Sequence, residues 1–226
     1  MKKQLIILAA LALLVIPAIC SATPPRIGPY ISGFIGVNFP QNADVASYDY
    51  YTGNSFNDRV EFDPGINIGG TGGFDYGFVR LEGELSYKHG EMTTITDLAG
   101  DRYRNVDGNL GALAMMGNIF LDLHNPSPIT PYVGGGIGLA VMHLSDTFGT
   151  STYDNTRQFL YPEDDDAVFA YQAGAGLEIA LNRALSLDLS YRYFATARAR
   201  FDSNSDIATD LKFKSHNAAI GLRVKF

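Results

Sequence analysis

The sequence predicts an all-β fold: an eight-stranded antiparallel up-and-down transmembrane β-barrel with four long extracellular loops. Three observations predict it. Apolar and polar residues alternate with a period of two through eight segments of the chain. Long and short connections alternate between those segments, and nearly all the net charge lies in the long ones.

The chain opens with a leader. Met1-Lys2-Lys3 is a short basic start, Leu5 to Ile16 is an unbroken apolar run, Pro17 breaks it, and Cys20-Ser21-Ala22 supplies small residues. That layout is a secretory signal peptide. The domain organisation expected is therefore a signal peptide over residues 1–22 and a barrel over 23–226. Cleavage falls after Ala22 or, as the alternative, after Cys20. An acylated cysteine at position 20 is disfavoured by Ile19, where a small residue would be expected. No later stretch approaches the 18 or so apolar residues that a spanning helix needs.

The strands follow in order. Tyr30–Phe39 sets Ile31, Ile35, Val37 and Phe39 against Tyr30, Ser32, Gly36 and Asn38. Pro64–Tyr76 sets Ile66, Ile68, Phe74 and Tyr76 against Asn67, Thr71 and Asp75. Phe78–Lys88 is the clearest, with Val79, Leu81, Leu85 and Tyr87 against Arg80, Glu82, Glu84, Ser86 and Lys88. In Asn109–Leu123 the apolar set is Leu113, Met115, Ile119 and Leu121, opposed by Asn118 and Asp122. Pro131–His143 alternates Val133, Ile137, Leu139 and Val141 with Gly134, Gly136, Gly138 and Ala140. Ala167–Leu181 opposes Phe169, Tyr171, Leu177 and Ile179 to Gln172, Gly174, Gly176 and Glu178. Leu185–Phe194 opposes Leu187, Leu189, Tyr191 and Tyr193 to Asp188, Ser190 and Arg192. The last segment sets Ala218, Ile220, Leu222, Val224 and Phe226 against Asn217, Gly221, Arg223 and Lys225.

A soluble barrel alternates in the same way, so its two faces have to be told apart. Gly134, Gly136, Gly138, Gly174 and Gly176 share the polar parity, as a crowded lumen requires. The long connections Pro40–Val60, His89–Gly108, Leu144–Asp166 and Ala195–Asp210 together carry −10, while the rest of the chain after Ala22 carries +1. A near-neutral wall with charge confined to one rim suits lipid. The acidic balance, −7 overall, argues against a nucleic-acid partner, and one cysteine excludes a disulfide scaffold or a multi-Cys zinc site.

Thr130-Pro131-Tyr132-Val133-Gly134-Gly135-Gly136-Ile137-Gly138 resembles a strand of the outer-membrane β-barrel superfamily that includes bacterial surface antigens and the OmpA, OmpX and Opa transmembrane domains. Met116–Asp122, Phe169–Gly176 and Leu187–Tyr193 resemble further strands of that superfamily, in the same order. The resemblance implies a bacterial outer-membrane location, periplasmic short turns and surface loops. It also implies that the ending Leu222, Val224 and Phe226 is read by the barrel-assembly machinery. Outer-membrane lipids and lipopolysaccharide are the other partners expected, with an unknown extracellular ligand; no cofactor and no metal are expected.

The site-bearing residues expected are lumen charges. Arg80, Arg192 and Arg223 against Glu82, Glu84, Glu178 and Asp188 would pair inside the barrel as a structural plug. The alternative is a narrow ion path. No enzyme is expected: Ser215-His216-Asn217 has residue types found in lipid A-modifying barrels, but in the wrong order. His89, His124 and His143 lack metal-ligand spacing, and Glu163–Asp166 lacks the Gly and Asn of a calcium loop. The long connections hold Tyr48, Tyr50, Tyr51, Phe56, Tyr103, Tyr153, Phe159 and Tyr161, an adhesin-like recognition surface or a set that orders the loops.

Overall fold

The computed structural model describes residues 27–51, 53–97, 100–123, 125, 127–202 and 207–226; the expected leader, His124 and the side chain of Phe56 lie outside them. Thirteen strands appear in chain order: β1 (Gly28–Pro40), β2 (Ala43–Asp49), β3 (Ser55–Phe62), β4 (Gly65–Asp75), β5 (Val79–Asp97), β6 (Arg102–Arg104), β7 (Asn109–Asp122), β8 (Ile129–Leu144), β9 (Thr147–Ser151), β10 (Arg157–Tyr161), β11 (Asp164–Ala180), β12 (Leu185–Phe201) and β13 (Ile207–Lys225). Eight of them close a ring of antiparallel pairs, β1–β4–β5–β7–β8–β11–β12–β13 and back to β1. This is the eight-stranded barrel of the sequence analysis. Its wall has no free edge along the shared height.

Side chains alternate across that wall as the pattern requires. On β5, Arg80, Glu82, Glu84, Ser86 and Lys88 are buried inside, while Leu81, Leu85 and Tyr87 are exposed outside. Ile31, Ile68, Met115, Ile137, Leu139, Tyr171 and Ile220 continue the outward apolar band. Beside several large inward groups, the paired position on the neighbouring strand is glycine. A methyl group on Gly176 would collide with the Tyr132 ring, and one on Gly136 with the Asn118 amide. At one short turn the Gly77 N–H donates to Asp75 Oδ1 at 2.7 Å, and Gly77 adopts φ 95°, a left-handed conformation that glycine takes without strain. At another, Asn182 Oδ1 accepts the Ala184 and Leu185 N–H groups at 2.8 and 2.9 Å.

The long connections depart from expectation. The sequence reads them as polar loops, but much of their length is strand. β2 and β3 form a hairpin that pairs on one side with the upper end of β13 and on the other with the upper end of β5. They thus take the places in the ring that β1 and β4 vacate. β6, β9 and β10 extend the sheet from β5. The result is a crown on one end of the barrel, opposite the short turns. Polar, turn-rich composition hid these strands, because each is short and all but β10 also pair with a strand that does not follow directly in sequence.

The crown has its own apolar core. Val45, Val60, Met92, Ile95, Leu110, Met142, Leu144, Tyr161, Phe201, Leu211 and Phe213 are buried together there. Above the wall the inward face is therefore apolar. A bulge between Ala195 and Arg198 marks the change on β12: beyond it Ala199 and Phe201 point in, and Arg198 and Arg200 point out.

Candidate functional site: a charged lumen beneath a hairpin crown

The inward residues form three tiers. Nearest the short turns is a charged network. Glu178 is paired with Arg223, with Lys225 Nζ at 2.7 Å and with Arg80 Nη1 at 3.4 Å. Arg223 Nη2 also donates to Asp188 Oδ2 at 2.6 Å, and the Tyr132 hydroxyl donates to Asp188 Oδ1 at 2.7 Å. Arg80 Nη2 lies 3.5 Å from Asp122, and Lys225 Nζ donates to Asp75 at 3.0 Å. Higher up, Arg192 is paired with Glu84 and sits 3.4 Å from Glu82. Glu82 accepts the Tyr30 hydroxyl at 2.9 Å, and Glu84 accepts Gln172 Nε2 at 2.8 Å.

Aromatic rings finish the packing around the cations. The Arg80 guanidinium stands 4.5 Å from the Tyr132 ring centre and 5.1 Å from that of Phe120. Arg223 stands 4.8 Å from Tyr30. Such contacts add attraction where water is excluded.

The structure brings all seven expected lumen residues together: Arg80, Glu82, Glu84, Glu178, Asp188, Arg192 and Arg223. It adds Asp75, Asp122, Lys88 and Lys225, which sequence reasoning placed on the polar parity without joining them to the cluster. Parity was the available signal; register across strands was the missing information.

The middle tier is built of small side chains around a few charges, with Gly136, Asn67, Ser215 and Asn217 on the inner wall beside Glu84, Lys88 and Arg192. It encloses a cavity of about 10 Å³ lined by Glu84, Lys88, Gln172, Arg192 and Asn217, among others. That is room for roughly one water. Lys88 marks the border with the apolar third tier: its ammonium lies 3.9 Å from Glu84 and 4.4 Å from the Phe194 ring centre.

Ser215, His216 and Asn217 do not assemble as a catalytic group. Ser215 and Asn217 are buried in the lumen, where Asn217 Nδ2 donates to Ser215 Oγ at 3.1 Å. His216 faces the other way, with Nδ1 2.6 Å from the Tyr191 hydroxyl and Nε2 2.8 Å from Gln41 Nε2. Alternation along a strand makes this unavoidable. Leu222, Val224 and Phe226 are exposed on the outer wall. Among the described residues no three His, Cys, Asp or Glu side chains gather as a metal site. In the acidic run, Asp165 Oδ1 meets His143 Nδ1 at 2.7 Å and Asp166 Oδ2 accepts the Arg200 N–H at 2.7 Å.

The crown divides the aromatic residues of the long connections into two groups. Tyr161 is buried, and its hydroxyl donates to Asp58 Oδ2 at 2.6 Å. Burial pushes the Asp58 carboxyl above its usual range, with the nearby Asp97 charge adding to the rise and the Tyr161 hydrogen bond opposing it. Tyr103 is half-buried beside that core. Tyr48, Tyr50 and Phe159 are exposed, and Tyr51 and Tyr153 stand out at 90% and 88% exposure. Nearby, a polar cleft of about 250 Å³ is lined by Arg104, Asn105, Thr150, Ser151 and Asn155. Asp107 ties β9 and β10 together: it accepts the Phe148 N–H at 2.9 Å and pairs with Arg157, and both contacts hold its carboxyl below the usual range.

A family model described as "Outer membrane protein beta-barrel domain" matches residues 6–226. Outer membrane protein PagN of Salmonella typhimurium is 26% identical over 161 residues, spanning 66% of this chain and 65% of that protein. An uncharacterised protein of Brucella abortus is 40% identical over 80 residues, 34% of this chain and 28% of its own length. The chain thus spans less than two thirds of these relatives. Among solved structures, the outer membrane protein OprG from Pseudomonas aeruginosa superposes with a TM-score of 0.57 at 14% identity, covering 88% of this chain and 96% of OprG. Neisserial surface protein A gives 0.50 at 16% identity, covering 88% and 97%.

Proposed function

The chain belongs to the outer membrane protein beta-barrel domain family, and from that premise we propose a non-catalytic, surface-exposed protein that binds an extracellular ligand through its crown. The barrel is its anchor in the bacterial outer membrane. The crown end faces outward and the short turns face the periplasm. The charged network is a structural plug rather than an ion path, and Leu222, Val224 and Phe226 form the ending recognised during assembly.

One observation carries this reading. The long connections are ordered by an apolar core of their own, and the aromatic residues not used in that core stand at the rim. Anchoring alone needs only short turns at both ends. Ordering the connections costs backbone entropy, about 1–2 kcal/mol per residue, and the buried Met92, Ile95, Leu110, Phe201 and Phe213 offset it. A rim held in place before contact loses less freedom on binding. Tyrosine suits such a rim, combining large contact area with few rotatable bonds. The cleft around Arg104 adds polar donors beside it.

The test uses whole bacteria carrying the full-length chain and a panel of immobilised host glycans and matrix proteins. Tyr51→Ser combined with Tyr153→Ser is expected to reduce retention on a bound panel member by about tenfold, the scale of a lost interface anchor. Heat-modifiable gel mobility should stay as in the parent. Retention unchanged by this pair and by replacement of Leu144–Asp166 would overturn the reading.

A further inference from the structure

The outer face of β13 changes character along its length. From the short-turn end, Phe226, Val224, Leu222, Ile220 and Ala218 face out. Next comes His216, with ring centres 5.9 Å from Tyr191 and 5.4 Å from Tyr193. Ten residues at about 3.3 Å each, tilted about 40°, cover roughly 25 Å, the height of an outer-membrane apolar band. The His216, Tyr191 and Tyr193 rings therefore mark its upper boundary, where aromatic residues favour the interface.

Lys214 is the next outward residue and Lys212 the one after; both are exposed. Arg198 stands opposite Lys212 in the β12–β13 register, with Nη1 3.6 Å from Asp210 Oδ2. Among the described residues neither lysine forms an ion pair. Beside them a cleft of about 270 Å³ is lined by Gln41, Asn42, Arg198, Asp210, Lys212 and Lys214. Asp44 on β2 and Asp210 also line this cleft, so three cations face two carboxylates there. Elsewhere above the wall, His143 is engaged by Asp165 and Glu91 is itself acidic.

We propose that Lys212, Lys214 and Arg198 form a binding site for the phosphate groups of a phosphorylated glycolipid of the outer leaflet. Its acyl chains lie along the Ile220, Leu222 and Val224 strip below. The cations outnumber the carboxylates by one, Lys212 and Lys214 keep their charge outside any ion pair among the described residues, and the depth is that of a headgroup one step beyond the aromatic boundary. Gln41 and Asn42 add polar groups for sugar hydroxyls. Holding the lipid in the same leaflet raises its effective concentration at the site. The site lies below Tyr48 on the same outer face, nearer the membrane than the ligand-binding rim, and it does not depend on the crown binding anything.

The experiment uses the full-length chain in detergent, titrated with fluorescent diphosphoryl lipid A, with its dephosphorylated form and with inorganic phosphate as competitor. The parent should bind the diphosphoryl form about tenfold more tightly than Lys212→Gln/Lys214→Gln does, the scale of losing two interfacial lysine contacts. That preference should weaken as salt rises. Dephosphorylated lipid should bind the parent and the variant equally, and Arg102→Gln should leave affinity unchanged. The proposal is overturned if the parent does not distinguish the two lipids, or if the lysine variant binds the diphosphoryl form as well as the parent. Displacement of the lipid by millimolar inorganic phosphate would also overturn it, by making the site one for free anions. So would lysine-dependent binding of heparin without lysine-dependent binding of lipid A.

Discussion

Arg223 holds two carboxylates at once, Glu178 and Asp188, and is itself 2% exposed. Removing it leaves Asp188 with no cation, held only by the Tyr132 hydroxyl, and leaves Glu178 to Lys225 and Arg80, in a site that water cannot easily reach. Arg223→Met should therefore destabilise the folded barrel by about 3–5 kcal/mol, the cost of breaking a buried pair from one side. Urea unfolding in detergent, followed by gel mobility, measures it. Neutralising Asp188 as well, with Asp188→Asn, should recover part of that loss, because the carboxylate left without a cation is then gone while Glu178 keeps Arg80 and Lys225. A double variant no more stable than the single one would mean that Arg223 acts by shape rather than charge. The seven expected members of this network were legible because charge on the inward parity of a narrow barrel has to be paired. Asp75, Asp122, Lys88 and Lys225 were less legible as partners, since pairing depends on register between strands far apart in sequence. Lys225 and Asp75 are 150 positions apart.

Each long strand obeys two solvents. Between the boundary rings β12 turns Leu187, Leu189, Tyr191 and Tyr193 to lipid, and above the bulge it turns Arg198 and Arg200 to water. β13 does the same, with Ile220, Leu222 and Val224 outward below, and Lys212 and Lys214 outward above, on either side of inward Phe213. The same alternation thus has opposite polarity in its two halves. Leu189→Arg, on the lipid face, should impair folding by roughly 2–4 kcal/mol, the depth-dependent cost for arginine, while Ser190→Ala beside it should change little. In the crown the sensitivity reverses. Lys212→Leu should be tolerated, whereas Phe213→Ala should cost about 3–5 kcal/mol by opening a cavity. Equal effects for either pair would show the faces wrongly assigned. The lower halves were readable from sequence because five or more alternations run without interruption. The crown strands were not: β6 has three residues, β9 and β10 five each. A bulge also breaks the parity on β12 where the solvent changes.

The tiers together decide whether the molecule can conduct. An ion entering from the short-turn end meets paired charges whose separation costs several kcal/mol each, and beyond them a cavity of only about 10 Å³. If it passed Arg192 and Lys88, it would face a buried apolar cluster that includes Phe194, Phe213, Met116 and Met142, side chains that cannot replace its hydration. The two obstructions are in series, so removing one leaves the other. The parent is therefore expected to give no stepwise current in planar bilayers, and Arg192→Ala alone should remain silent. Phe194→Ala alone should be silent too, because the charged tier still closes the passage. Only substitutions in both tiers, Arg192→Ala with Phe194→Ala and Phe213→Ala, are expected to produce discrete steps. Steps from the parent, or from Arg192→Ala alone, would mean that the plug moves as a unit and that the molecule is a gated path rather than a closed anchor.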